Sequence, residues 1–417
     1  MTKDRRNVIE VDGGRLWATL ERSGEIGPGR AGGLRRLALS ADDRIMRDQF
    51  VEWCRAAGCT ITTDRVGNIF ARRAGTEDHL PPVVLGSHLD TQVAGGRYDG
   101  ILGVLAGLEI LRTLNDHKLA TRRALEIVSW SNEEGARFQP PMMASAAFAG
   151  RLPVEFVLQQ VDDEGLIFGD ELSKIGYAGT APVGRRALDA YFELHIEQGP
   201  VLERMGVPIG IVTGGYAVHG MHIDVIGDTA HSGPTPMDKR RNALVGAAMI
   251  AVAVNEIGWR YHATEGKSTV PRLVCWPNKP GILPSYAQVT VDVRHADPAE
   301  AEKMRAELMA AVTECAARAI VEAKVAASWS FGSESFDAEC IELVRRTADT
   351  LGVHHHSMLS QAGHDAYNIA RVAPTCLIFT PCRDGVSHNE GEYIEPSYTL
   401  PGINVLLHAV IERANRP

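Results

Sequence analysis

Four short, almost unbroken apolar runs constrain this chain most: PPVVLGSH (Pro81–His88), ALEIVSW (Ala124–Trp130), AYFELHIEQG (Ala190–Gly199) and TCLIFTPC (Thr375–Cys382). A strand-length run without polar alternation is buried on both faces, as the strands of a helix-covered parallel sheet are. Parallel strands cannot be joined by hairpins, so helices must intervene. SADDRIMRDQFVEWCRAAG supplies one, with Ser40 as N-cap, Asp43 at the third helical position and Gly58 as the stop. ILGVLAGLEILRTL (Ile101–Leu114) is apolar on most sides and reads as a buried helix.

The character changes after Gly210. GMHIDVIG and YAQVTVDVRH alternate with period two, as strands with one open face do. A helix near Asn242–Ile257 lies between them, and a long helix Pro298–Ala323 and the strand KVAASWSF follow. This β-α-β-α-β order predicts a small α+β unit inserted into the larger one. The fold class is therefore α/β: a mostly parallel-sheet catalytic domain, residues 1–211 and 330–417, carrying an inserted α+β lid, residues 212–329. Linkers are expected near Pro208–Gly215 and Phe331–Phe336. The larger domain resumes with helices Asp337–Leu351 and Asp365–Ala370, and a last helix runs from Leu400.

A length of 417 residues suits two domains, because single cores stop growing near ~250–300 residues. The formal charge of −9 disfavours a nucleic-acid partner, since phosphates need a basic face. The seven cysteines include no CxxC pair and read as reduced thiols of a cytoplasmic protein. The opening MTKDRRNVIEVDGG lacks the apolar stretch of a secretion signal. The longest apolar run, Val245–Val254, is about half a bilayer span, so no membrane partner is expected.

Each run of the larger domain ends in polar side chains able to bind metal. His88 follows VVLGS, with Asp90 and Asp99 beyond. Glu133 and Glu134 follow ALEIVSWS, His195 and Glu197 follow AYFEL, and Asp384 and His388 follow TCLIFTPC. Ligands of open α/β sheets bind at the carboxyl ends of strands. Imidazole with carboxylate suits zinc first, and manganese, cobalt or nickel. One ion needs only three or four donors. The larger set favours two divalent ions sharing a bridging carboxylate, a common hydrolytic arrangement. The run His354-His355-His356 reads as an exposed loop or strand start, and His364-Asp365 as a helix start near the site.

GSHLDTQVAGGRYDGILGVLAGLE, SWSNEEGARF, ELHIEQGPVLE, AHSGPTPM, AGHDA and DGVSHNEGEY, in this order, resemble the amidase/carbamoylase branch of the M20 metallohydrolases. That branch holds N-carbamoyl-L-amino-acid hydrolases, β-ureidopropionases and allantoate amidohydrolases. The resemblance implies a dinuclear catalytic domain and a lid domain that forms a homodimer. It implies that His88 and His195 hold one metal, that Glu134 and His388 hold the other, and that Asp99 bridges. Glu133 would be the general base, and Asp90 would orient the His88 imidazole through its other ring nitrogen. Gln198, His231 and Arg294 match substrate-contacting positions. His231 would also stabilise the carbonyl oxygen in catalysis, and Arg294 would offer a fork to a substrate carboxylate.

Departures from the branch cluster away from the metal positions. PNKPGILPS places Gly281 where an Asn contacts substrate, GYAVHGM brings Tyr216 and His219 in place of Gln and Arg, and Ser360-Gln361 precedes AGHDA where Gly-rich sequence is common. Losing the Asn amide should discriminate by ~1–3 kcal/mol against substrates that need it. The reading is an amidohydrolase of a linear amide or ureido C–N bond in a small substrate bearing a carboxylate. An N-carbamoyl amino acid, releasing ammonia and CO2, comes first, and allantoate or a related ureide is the alternative. A non-catalytic binding protein retaining the fold would predict damaged ligands, and none is damaged.

Overall fold

The computed structural model describes residues 9–184 and 186–417. The first residues of the segment read above for a secretion signal lie outside this range. Backbone contacts divide the chain into two compact units. One comprises residues 1–213, 336–358 and 363–417, and the other residues 214–335 and 359–362.

The first unit carries the large sheet. Its strands are β1 (Thr60–Thr63), β2 (Ile69–Arg73), β3 (Val83–His88), β4 (Leu125–Trp130), β5 (Ala190–Ile196), β6 (Ile209–Gly215), β11 (His355–Ser360) and β12 (Thr375–Thr380). They lie in the order β1-β2-β4-β3-β5-β12-β6-β11. The apolar runs form the middle four, β4-β3-β5-β12, which are parallel and wholly buried. Their carboxyl ends therefore share one edge of the sheet. The flanking pairs β1–β2, β2–β4 and β12–β6 are antiparallel.

Helix Ile101–Asp116 is buried on nearly every side against β3, β4 and β5. It can come this close because Gly103 has no side chain: a Cβ there would stand 2.3 Å from the Leu194 carbonyl oxygen. The Ser40 hydroxyl accepts the Asp43 N–H and starts helix Ala41–Ala56. Asp43 in turn accepts the Leu39 N–H and pairs with buried Arg47.

The second unit is an antiparallel sheet in the order β10-β7-β9-β8, from β7 (Ala217–Ile226), β8 (Lys267–Trp276), β9 (Tyr286–His295) and β10 (Glu322–Phe331). Helices Ala243–Tyr261 and Pro298–Ala319 cover one face, over Met221, Ile223, Val225, Val289 and Val291.

Several sequence expectations are corrected here. β8 was not foreseen. It holds Pro271, which removes a ladder N–H, and its register shifts between Thr269 and Arg272; both are tolerated because β8 is an edge strand. The supposed linker Pro208–Gly215 is mostly β6, paired with β12. The long helix ends at Ala319, where Ile320 turns left-handed at φ +56°, and the last helix begins at Pro396 rather than Leu400. The run Val245–Val254 extends into a helical segment, Ala243–Thr264, long and apolar enough to cross a membrane by length and composition. One of its faces is buried on the second sheet.

Candidate metal centre

The site assembles at the shared carboxyl edge of the parallel strands. β3 ends in His88, and β5 carries His195 one residue before its end. Glu133 and Glu134 follow β4, and His388 follows β12. Asp99 returns to them from the loop before helix Ile101–Asp116. That return depends on Gly100, which sits at φ +70° and where a Cβ would meet the His88 ring at 2.2 Å.

Asp99 stands at the centre. Its Oδ1 lies 3.1 Å from His195 Nε2 and 3.8 Å from His88 Nε2. Its Oδ2 lies 3.3 Å from His388 Nε2, which is 3.2 Å from Glu134 Oε2. Two triplets of donors result, His88/Asp99/His195 and Asp99/Glu134/His388, each with its ligand atoms within 4.8 Å of one another. A third triplet, Glu193/His195/His364, shares His195 with the first. Its Glu193 is already engaged by Ser87 Oγ, Tyr191 OH and the Ala366 N–H.

The donor chemistry fits metal. His88 Nδ1 meets the Asp90 carbonyl oxygen at 2.9 Å, and His195 Nδ1 meets the Ile196 carbonyl at 2.9 Å. A carbonyl only accepts, so both rings carry their proton on Nδ1 and turn the Nε2 lone pair to the cluster. The Gly100 N–H donates to that lone pair on His195. Burial lowers the affinity of His195 and His388 for protons, but the facing carboxylates outweigh it and raise them to about 9 and 11. Burial likewise opposes charge on Asp99, yet His195 and His388 hold it well below the usual carboxylate range. Protons here occupy the place of stronger cations, and metal binding would release them.

Glu133 belongs to neither triplet, and its Oε2 lies 3.5 Å from His88 Nε2. Burial, then the nearby Asp365, Glu134, Asp90 and Asp99, push its carboxyl well up. Asp90 does not act as expected. The orienting group on His88 is the backbone carbonyl of Asp90, because a turn two residues past the imidazole brings main chain, not side chain, to Nδ1. The Asp90 carboxylate accepts instead from the Glu133 and Glu134 N–H groups, at 3.3 Å each. It thus holds the turn that carries both glutamates.

Gln198 is strained at φ +58° and donates through Nε2 to Asp99 Oδ2 at 2.9 Å. Gln92, Ser387 and Glu392 were not singled out from sequence. Gln92 donates to Glu134 Oε2, and Ser387 donates to Asp99 Oδ2. All three stand inside the motifs that carry the ligands, which is the signal that could have found them. Two strand-end acids prove to have other tasks. Glu197 caps helix Val201–Met205 by accepting the Val201 and Leu202 N–H groups, and the Asp384 N–H donates to Glu203. His364 packs its ring 4.5 Å from that of His195, and Asp365 opens helix Asp365–Ile369.

His231 and Arg294 belong to the second unit. His231 is exposed and accepts the Gly233 N–H at Nδ1, so its neutral ring presents an N–H at Nε2. The Arg294 fork is engaged by Asp292, at 3.1 and 2.8 Å, and its Nη1 donates to the Gln361 carbonyl. The four departing residues also lie in this unit. Tyr216 donates to Glu265, His219 Nδ1 meets Ser330 Oγ, and Gln361 accepts from Lys267. Gly281 sits at φ +86°, backbone that Gly adopts without strain.

The Peptidase family M20/M25/M40 profile matches residues 84–412. The chain is 42% identical over 404 residues to an N-carbamoyl-L-amino-acid amidohydrolase of Rhizobium meliloti, covering 97% of each chain. It is 31% identical over 384 residues to a ureidoglycolate hydrolase of Arabidopsis thaliana, covering 88% of this chain and 80% of that one. Among solved structures, a hydantoinase/carbamoylase family amidase of Burkholderia vietnamiensis superposes with a TM-score of 0.95 at 46% identity, over all of both chains. With its site residues on the shared strand edge and its match running from β3 into the last helix, this chain belongs to the M20/M25/M40 peptidase family.

Proposed function

We propose that this protein is a dinuclear-metal amidohydrolase cleaving the ureido C–N bond of an N-carbamoyl amino acid to ammonia, CO2 and the free amino acid. The observation that carries the reading is Asp99, which turns one carboxylate oxygen to each of two histidine-bearing donor sets. His88 and His195 would hold one ion, Glu134 and His388 the other, with zinc first and manganese, cobalt or nickel acceptable to the same donors. Bound there, the ions would acidify a water and draw charge from the substrate carbonyl.

The chain's own groups do the rest. Glu133, buried beside the cluster but outside both triplets, takes a proton from the attacking water and passes it to the leaving nitrogen. Asp90 fixes the turn that separates Glu133 from the ligand Glu134. His231 donates from Nε2 to the carbonyl oxygen as it gains charge. Arg294 receives the substrate carboxylate through N–H groups that Asp292 leaves free, or by exchanging Asp292 for it. Gln198 supplies a further amide contact.

Homodimerisation through the second unit belongs to the same proposal. Its support is an apolar outer surface, with Val252, Trp259 and Trp276 each more than half exposed, next to the open edge of β8. Cytoplasmic placement rests on seven unpaired cysteines.

The test is ammonia release by metal-loaded protein from N-carbamoyl-α-amino acids of both hands, N-carbamoyl-β-alanine and allantoate. Release from an N-carbamoyl amino acid is expected. Release from allantoate alone would favour the ureide reading, for which the missing Asn amide at Gly281 speaks. No release from any of them, with both ions bound, would return the non-catalytic reading.

A further inference from the structure

We propose that Glu392 is a positioning residue that fixes the bridging carboxylate Asp99 and couples it to the segment carrying His388. The proposal rests on the dinuclear reading above. Glu392 is buried, with 3% of its surface exposed. Its Oε1 accepts the Tyr98 N–H at 2.9 Å and the Asp99 N–H at 3.1 Å. Its Oε2 lies 3.0 Å from Ser387 Oγ, which reaches Asp99 Oδ2 at 2.8 Å. One carboxylate thus grips Asp99 at both ends: directly through the backbone, and through Ser387 at the oxygen facing His388.

The loop is shaped for this grip. A Cβ at Gly96 would stand 2.0 Å from the Glu392 carboxylate, so any side chain there would expel it. A second tie runs beside the first. Glu390 accepts the N–H groups of Arg30 and Gly33, at 3.1 and 3.2 Å, and that of Ala31. The loop carrying these amides exchanges two backbone hydrogen bonds with Gly95 through Leu34. His388 lies between the two ties. It sits in no helix or strand, with a left-handed φ of +49° and a half-exposed side chain. Its place near Asp99 is set by the residues around it rather than by a regular element.

The reading is tested by zinc titration of the full-length apoprotein against a chromophoric chelator, with cobalt absorption spectra as a second readout. Wild type should bind two ions. E392A should stay folded by circular dichroism and lose roughly 10–100-fold in affinity for the second ion. Its kcat should fall at limiting metal and recover in excess metal. E392Q keeps an oxygen for the two amides and an N–H for Ser387, and should bind both ions as wild type does. Should E392A fail to fold, S387A removes only the hydroxyl link and should weaken the second ion in the same direction.

Folded E392A or S387A that binds both ions like wild type would overturn the positioning role, as would E392Q no better than E392A. Wild type that binds a single ion would overturn the dinuclear reading and this one with it.

Discussion

Replacing Asp90 separates two accounts of one buried carboxylate. If its side chain oriented His88, Asp90→Asn would weaken the ion held by His88 and His195 by roughly 10–100-fold, as outer partners of metal ligands do. In the structure that task falls to the Asp90 backbone carbonyl, which substitution leaves in place. The carboxylate instead takes the N–H groups of Glu133 and Glu134, at 3.3 Å each. An orphaned buried donor costs ~1–3 kcal/mol, and two long bonds put Asp90→Ala near the low end, about 2 kcal/mol in all. Denaturant unfolding should show that loss. Turnover at saturating metal should fall sharply, because the turn presenting Glu133 loses its support, while the first ion binds as in wild type. A first ion weakened tenfold or more, with turnover intact once metal is saturating, would refute the reasoning.

Three further outcomes follow from the geometry. Glu133→Gln should keep both ions, measured by elemental analysis, and lose roughly 10²–10⁴-fold in kcat; retained turnover would remove Glu133 as the base. Gly100→Ala places a methyl 2.2 Å from the His88 ring on backbone at φ +70°, so metal content should drop to one ion or none while the sheet survives by circular dichroism. Away from the centre, burial lifts the Asp64 carboxyl to about 6. The native state then holds a proton that the unfolded chain releases above its ordinary carboxyl pKa. Stability from this group is complete below about pH 4 and is lost as pH rises through 6, by up to ~3 kcal/mol. Asp64→Asn should flatten that stretch of the stability–pH curve; an unchanged slope would assign it elsewhere.

The large sheet was legible because its central strands are buried on both faces. Burial on both faces leaves no polar alternation, and the four runs are β3, β4, β5 and β12 with little change of boundary. The smaller sheet was legible in β7, β9 and β10. It was not legible in β8, where Pro271 and a register shift hide an edge strand among residues that face solvent. β6 was read as a linker because IGIVTGG carries two glycines and a Thr in its second half, signals that mark turns as readily as strand ends.

The sequence by itself determined which residue types could hold metal and that they fall at strand ends, because a parallel sheet gathers those ends on one edge. It determined that Glu133 and Glu134 are adjacent and so could serve separate tasks. Only the tertiary structure decided which atom of each residue does the work. The carbonyl, not the carboxylate, of Asp90 meets His88. The Arg294 fork is already held by Asp292. Glu392, nearly three hundred positions from Asp99 in the chain, holds its backbone. These are contacts between groups distant in sequence, or choices between main chain and side chain of one residue. Neither leaves a periodic trace in the order of residues; both follow from how the loops pack once the strands are in register.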